Sequence, residues 1–167
     1  MAAKRPFFMG QLMTGPVETS ADIRMAAMNL LSMREHSAKE LATKLGKKFE
    51  STDLINSAVE KLQNDGLQSD QRFAEAFINM RIRQGKGALA IRMELREKGI
   101  ADMFISEHLS AAIDWDLLAL QVYRKKFVGK STLDLKEKAK RVRFLAGRGF
   151  SAANIKFALE HSKTDEA

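Results

Sequence analysis

The sequence predicts an all-α fold of three tandem three-helix repeats stacked into a curved rod. The first sign is composition: Ala, Leu, Lys, Glu, Arg and Met dominate, and only two prolines and ten glycines interrupt 167 residues. Those common residues lose least on entering a helix. The second is the absence of any sustained two-residue alternation of the strand type. The third is a self-match at an offset of fifty, which superposes Ile23, Phe73 and Tyr123, then Ala27, Phe77 and Phe127. Leu45, Leu95 and Leu145 also coincide, as do Ile55, Ile105 and Ile155, and Val59, Leu109 and Leu159. Lys48, Lys98 and Arg148 align too, with Ser51, Ala101 and Ser151 at helix starts. Five apolar triplets at helical spacing inside each unit mark a repeat.

The elements follow in order. Residues 1–20 contain both prolines, show no stable period and are expected to form a flexible tail. Lys4-Arg5 before Phe7-Phe8-Met9 has the outline of a signal peptide, but Gly10, Gln11 and Thr14 interrupt the apolar run, so a cytoplasmic protein is expected. The first repeat is placed at 21–66. Ile23, Ala27, Leu30 and Leu31 share one helical face, and Arg34-Glu35-His36 ends that helix. Ser37-Ala38-Lys39-Glu40 reads as a capping box, with Leu41 and Leu45 carrying the buried stripe behind it. Ser51-Thr52 opens a helix with Ile55, Ala58, Val59 and Leu62 inward, and Asp65-Gly66 stops it.

The second repeat is placed at 67–113. Ser69 caps a helix marked by Phe73, Phe77 and Met80. Gly85 and Gly87 break the pattern before Ala88, Ile91 and Leu95 restart it, and Gly99 closes the helix. The third repeat, 114–162, opens on Asp114-Trp115-Asp116, whose acids suit the positive end of a helix dipole. Trp115 reads as core, and 163–167 as a short tail. A unit of ~45 residues has little core of its own, so neighbouring units are expected to stack.

Formal net charge is +7, which favours an acidic partner. The charge is concentrated. From Arg81 to Lys98 six basic residues face two acidic ones, and from Arg124 to Arg148 ten face two. Arg92 and Arg96 are helical neighbours beside the Ile91–Leu95 stripe; Lys136, Lys140 and Arg143 form a similar row, placed away from Ala139, Val142 and Ala146. Like charges at that spacing repel by ~0.2–0.5 kcal/mol per pair, and a polyanion would relieve the repulsion by displacing counterions.

Other chemistry has little support. The absence of cysteine excludes disulfides and thiol nucleophiles, and no apolar run approaches the ~18 residues of a membrane span. His36, His108 and His161 are scattered over three repeats without metal-ligand spacing. Gln84-Gly85-Lys86-Gly87 lacks the length and the Ser/Thr of a phosphate-binding loop. Asp102, Asp114 and Asp116 do not form a convincing carboxylate cluster for metal-dependent nuclease chemistry. No nucleophile–base pair can be argued, so no enzyme, cofactor or metal is expected.

One set of residues carries a family resemblance. In the first repeat it is Arg34, Ser37 and Glu40-Leu41; in the second, Gly66-Leu67, Asp70, Arg72-Phe73-Ala74, Arg81, Gly85, Gly87, Ile91, Glu94-Leu95 and Lys98-Gly99-Ile100. In the third it is Lys140, Arg143-Phe144-Leu145, Arg148-Gly149-Phe150-Ser151 and Ile155. In order and spacing this pattern resembles the RecX family of bacterial recombinase regulators. Ser69 departs from it, standing where an acid is common, and the N-terminal tail matches nothing. The resemblance implies helix-turn-helix-like units and a monomeric regulator that binds the RecA recombinase in the groove of its filament on DNA. There it would restrain filament growth, strand exchange and ATP hydrolysis. Arg81, Arg83, Lys86, Arg92 and Arg96, with Lys125, Lys126, Lys136, Lys140, Arg141, Arg143 and Arg148, are the candidate contacts to partner or DNA phosphate. The competing reading is a stand-alone helix-turn-helix DNA-binding protein, against which the third helices offer few base-reading groups: Asn56 and Ser57 in one, Glu107 and His108 in the next.

Overall fold

The computed structural model describes residues 17–110, 112–127, 129 and 134–162. Most of the expected N-terminal tail and the tail at 163–167 lie outside the described residues. Within them the chain forms nine helices and no strand: α1 (Ser20–Met33), α2 (Ala38–Leu45), α3 (Thr52–Asn64), α4 (Asp70–Arg83), α5 (Ala88–Glu97), α6 (Asp102–Ser110), α7 (Trp115–Phe127), α8 (Leu135–Gly147) and α9 (Ala152–His161).

Local chemistry sets the boundaries. Thr19, Ser37, Ser51, Ser69, Asp134 and Ser151 each accept a hydrogen bond from a backbone N–H in the first turn of the helix that follows. Gly66, Gly85, Gly99 and Gly149 all take positive φ just after a helix ends, the left-handed conformation that closes a helix at least cost when no Cβ is present. The Ser37 motif is only half a capping box. Its hydroxyl accepts from the Glu40 N–H at 3.1 Å, but the Glu40 carboxylate turns away to Lys98 and Arg34.

Each trio of helices closes a core of its own. The first holds Ile23, Ala27, Leu41, Leu45, Ile55 and Leu62; the second Phe73, Phe77, Ile91, Leu95, Ile105 and Leu109; the third Tyr123, Phe127, Leu145, Phe150 and Ile155. All five apolar triplets at the fifty-residue offset fall in these cores, with only Leu159 half-buried. Trp115 packs partly buried against the second core, its indole N–H donating to the Leu109 carbonyl at 3.4 Å.

The trios meet where one middle helix starts against the end of the next. The Gly87 N–H donates to the Arg148 carbonyl at 2.8 Å and the Leu89 N–H to the Gly149 carbonyl at 3.0 Å, so the unpaired donors of the α5 start satisfy unpaired acceptors past the α8 end. Fifty residues earlier, the Ser37 hydroxyl donates to the Lys98 carbonyl at 2.8 Å and the Lys39 ammonium to the Glu97 carbonyl at 3.0 Å. There the Asp70 carboxylate accepts from the Ala38 N–H at 2.8 Å, and the Gln68 amide donates to the His36 carbonyl at 3.0 Å.

On α8 the structure corrects the expected face. Ala139 and Ala146 are exposed, whereas Arg141 is 4% exposed and lies inward with Leu145. Its guanidinium donates to the Tyr123 hydroxyl at 2.6 Å and to the Glu137 carboxylate at 3.1 Å, and lies over the Phe127 ring. Burial works against a charged arginine here, but these hydrogen bonds outweigh it and raise the Arg141 pKa above its ordinary value. At the fifty-residue offset Arg141 falls on Leu41 and Ile91, both fully buried. It is therefore a core residue and not a surface contact, as the sequence reading had it.

Candidate partner interface

The ends of the first helices of repeats two and three build a cleft at their junction. Ile82, Arg83, Gln84 and Gly85 at the end of α4 form one wall; Leu118, Gln121, Val122, Lys125 and Lys126 of α7 form another, closed by Phe144 of α8 and by Arg148 just past its end. The space is about 610 Å³. Among the described residues four cations and no carboxylate line it. Tyr123 and Phe127 turn into the core, which sends Lys125 and Lys126 outward at the C-terminal end of α7, where cations complement the dipole. Arg148 is held in place: it donates to the Gln84 carbonyl at 2.9 Å and lies 5.3 Å over Phe144. Lys126 lies over the same ring at 5.6 Å.

A second cleft of about 460 Å³ occupies the junction of repeats one and two, lined by Arg34, Glu35, Glu40, Phe73, Phe77, Met80, Arg81, Arg83 and Lys98 among others. The two are related by the repeat: Arg34, Glu35, Ala76 and Lys98 of the first match Gln84, Gly85, Lys126 and Arg148 of the second. Arg83 lines both. In the first cleft three of the four lining cations, Arg34, Arg81 and Lys98, are paired within the chain. Lys98 meets Glu40 at 2.6 Å, Arg34 meets the same carboxylate at 3.1 Å, and Arg72 meets Glu35 at 2.9 Å. Burial pushes the Glu40 carboxyl up, but hydrogen bonds from Lys98 and Arg34 outweigh it and hold the group below its ordinary value. In the second cleft Gly85 and Ala90 stand where Glu35 and Glu40 stand in the first, Lys125 where Glu75 stands, and Arg83 where Met33 stands.

The remaining candidates separate. Arg81 is bound to Glu94 at 2.6 Å and lies over Phe77; Arg96 is bound to Asp102 at 2.7 Å; Arg92 donates to the Ser106 hydroxyl at 3.3 Å. Lys86 is half-buried in the α4–α5 turn. Lys136, Lys140 and Arg143 are exposed on α8. At the fifty-residue offset this last row falls on Lys86, Ala90 and Met93, whereas Arg92 and Arg96 fall on Val142 and Ala146. The two basic rows thus occupy different faces of the repeat, rather than one. The grouping of Arg83 with Lys125, Lys126 and Arg148 escaped the sequence reading, because the offset aligns equivalent positions of the repeats and does not show which of them meet across a junction.

Among the described residues no three His, Cys, Asp or Glu side chains are placed to hold a metal ion, and no helix is long and apolar enough to cross a membrane. His36 is buried, its Nδ1–H donating to the Arg34 carbonyl at 3.0 Å and its Nε2 accepting from Lys44 at 3.1 Å.

Comparison with known proteins agrees with this architecture. Residues 24–62, 69–109 and 117–159 match the models of the first, second and third three-helix domains of RecX. The chain is 40% identical over 137 residues to the regulatory protein RecX of Chromohalobacter salexigens, covering 81% of this chain and 90% of that one. It is 36% identical over 155 residues to the RecX of Pseudomonas fluorescens, covering 92% and 100%. The crystal structure of RecX from Lactobacillus salivarius has the same fold, with a TM-score of 0.75 at 23% identity over 87% of this chain and 97% of that one.

Proposed function

The chain belongs to the RecX family of regulatory proteins, and from that premise we propose that it is a non-enzymatic negative regulator of the RecA recombinase. It acts in the cytoplasm as a monomer. Its three repeats lie as a curved rod in the groove of the RecA–DNA filament and restrain filament growth, strand exchange and ATP hydrolysis. The observation that carries this reading is the cleft between repeats two and three, where Arg83, Lys125, Lys126 and Arg148 converge with no carboxylate among the described lining residues. Exposed Lys136, Lys140 and Arg143 extend the basic surface. Such charges dock a protein on a polyanion without reading its sequence.

The autonomous DNA-reader is the weaker alternative. Helices α3 and α6 carry Asp53 and Asp102 in their first turns, where a recognition helix meets base edges and phosphates, and a carboxylate there repels the backbone.

The test is recombinase ATPase and strand exchange with and without the protein. Inhibition well below one copy per recombinase subunit is expected, weakening steeply between low and moderate salt. Inhibition only at stoichiometric coating, or a flat salt response, would overturn it. A gel shift on random DNA, a candidate specific site and recombinase-coated strands should favour the coated strands.

A further inference from the structure

The fifty-residue repeat allows one cleft of this molecule to report on the other. In the cleft between repeats one and two the ligand chemistry is visible, because the chain fills it with its own carboxylates: Glu40 sits between Lys98 and Arg34, and Glu35 meets Arg72. In the cleft between repeats two and three the receiving cation persists, Arg148 standing for Lys98, while Gly85 and Ala90 replace both glutamates. Lys125 and Lys126, which line the second cleft alone, replace Glu75 and Ala76, while Arg83 lines both clefts. Of the cations that receive the glutamates, Lys98 alone keeps a cationic counterpart, since Arg34 and Arg72 become Gln84 and Val122; the internal ligand is gone, and Lys125 and Lys126 are added beside Arg148.

We propose that this second cleft binds a carboxylate-rich segment of a partner protein, which supplies in trans what Glu35 and Glu40 supply in cis. The inference rests on the regulatory reading above and names the class of partner surface for its principal site. Two features favour an acidic peptide over a nucleic acid strand. The lining offers Ile82, Leu118 and Val122, an aliphatic wall that suits a leucine or valine side chain between acids. Its one aromatic ring, Phe144, already carries Arg148 and Lys126 over it and is met edge-on by Phe127. A single-stranded nucleic acid gains much of its affinity from bases stacked on free aromatic faces, and the described lining of this cleft offers none. Arginine and lysine pair with carboxylates and phosphates alike, so the apolar wall decides between them.

The experiment uses the full chain and a fluorescein-labelled peptide of repeating Glu-Glu-Leu, followed by anisotropy at moderate salt, with oligothymidylate of equal charge as competitor. Saturable binding is expected, shifting the methyl resonances of Leu118 and Val122. The Lys125→Ala/Lys126→Ala variant should bind about tenfold more weakly, the combined effect of two exposed ion pairs, whereas Lys61→Ala, on the exposed side of α3 and outside both clefts, should match the parent. Circular dichroism checks that the double variant keeps its helices; if it does not, Arg83→Ala takes its place. Unchanged affinity in the cleft variants, unmoved methyl resonances, or displacement of peptide by the oligonucleotide at equal charge would overturn the proposal. Recombinase inhibition measured on the same variants separates the two readings: peptide binding lost with inhibition intact keeps the cleft and removes its part in regulation.

Discussion

The two junctions of this molecule occupy the same repeat positions and are held by different chemistry. Between repeats one and two the contact is made by side chains: Ser37 on the Lys98 carbonyl, Asp70 on the Ala38 N–H, Gln68 on the His36 carbonyl, and Glu40 between Lys98 and Arg34. Between repeats two and three backbone makes most of it, with Gly87 and Leu89 N–H groups on the Arg148 and Gly149 carbonyls, and the Arg148 guanidinium on the Gln84 carbonyl adds a side-chain bond. Side-chain joints use up charge, and backbone joints do not. The second junction can therefore leave four cations facing a cleft that no described carboxylate lines, while the first pairs three of its four lining cations. The difference shows how a repeat array assigns one joint to structure and a neighbouring joint to binding with the fold unchanged.

The comparison breaks most severely at Gly149. A Cβ there would meet Ala90 at 2.3 Å from its side chain and 2.5 Å from its backbone nitrogen, at a φ of +89°. Gly149→Ala should combine a left-handed penalty with overpacking against backbone and cost about 3 kcal/mol or more. Gly66→Ala is the control: its φ is +71° with nothing within 4 Å, so only the conformational penalty of about 1 kcal/mol remains. Urea unfolding followed by circular dichroism measures both. Equal losses would mean that the backbone joint contributes little.

The next effect distinguishes the joints by pH. Burial lowers the His36 pKa below its ordinary 6.5, and the Arg34 and Lys44 charges add to this against the hydrogen bond to the Arg34 carbonyl. A base with a depressed folded pKa is neutral in the native state while the unfolded chain takes up a proton. Stability is therefore full above 6.5 and falls as the pH drops from there towards the folded value, by up to about 1.4 kcal/mol per pH unit. Unfolding free energies between pH 7.5 and 5 should show this slope, and His36→Gln should flatten it. A slope unchanged in that variant would place the titrating group elsewhere.

Helices and cores were legible in the sequence because they obey one periodicity. Ile23, Phe73 and Tyr123 needed only the offset and the helical spacing, and Ser51, Ser69 and Ser151 only the chemistry of a cap. The site was less legible for two physical reasons. Arg141 is charged, and charge was read as exposure; the neutral pairing that buries it requires Tyr123 and Glu137, eighteen and four residues away. The cleft gathers Arg83 with Lys125, Lys126 and Arg148 across a junction, and no periodicity within one helix reveals which ends meet. Rows such as Arg92–Arg96 were conspicuous along the chain, yet Arg96 is already paired with Asp102.

The smallest effect on stability sharpens the comparison furthest. Glu40→Gln removes the carboxylate that Lys98 and Arg34 share while keeping its shape, and because Lys98 is 38% exposed the loss should be about 1 kcal/mol. The depressed Glu40 pKa fixes the sign of its pH dependence: the stabilisation is present above the ordinary value of 4.5 and disappears as the pH falls through the lower folded value. The variant should therefore lose the part of the acid sensitivity that lies below the ordinary glutamate range. It also strips the first cleft of one of its two carboxylates, the very change that Ala90 makes in the second. If the difference between the junctions is a matter of internal ligands, the variant should gain affinity for the Glu-Glu-Leu peptide at moderate salt, with a second set of shifted resonances around Phe77 and Met80. Parent-like affinity would mean that Arg83, Lys125 and Lys126, and not the missing glutamates, make the second cleft a binding site.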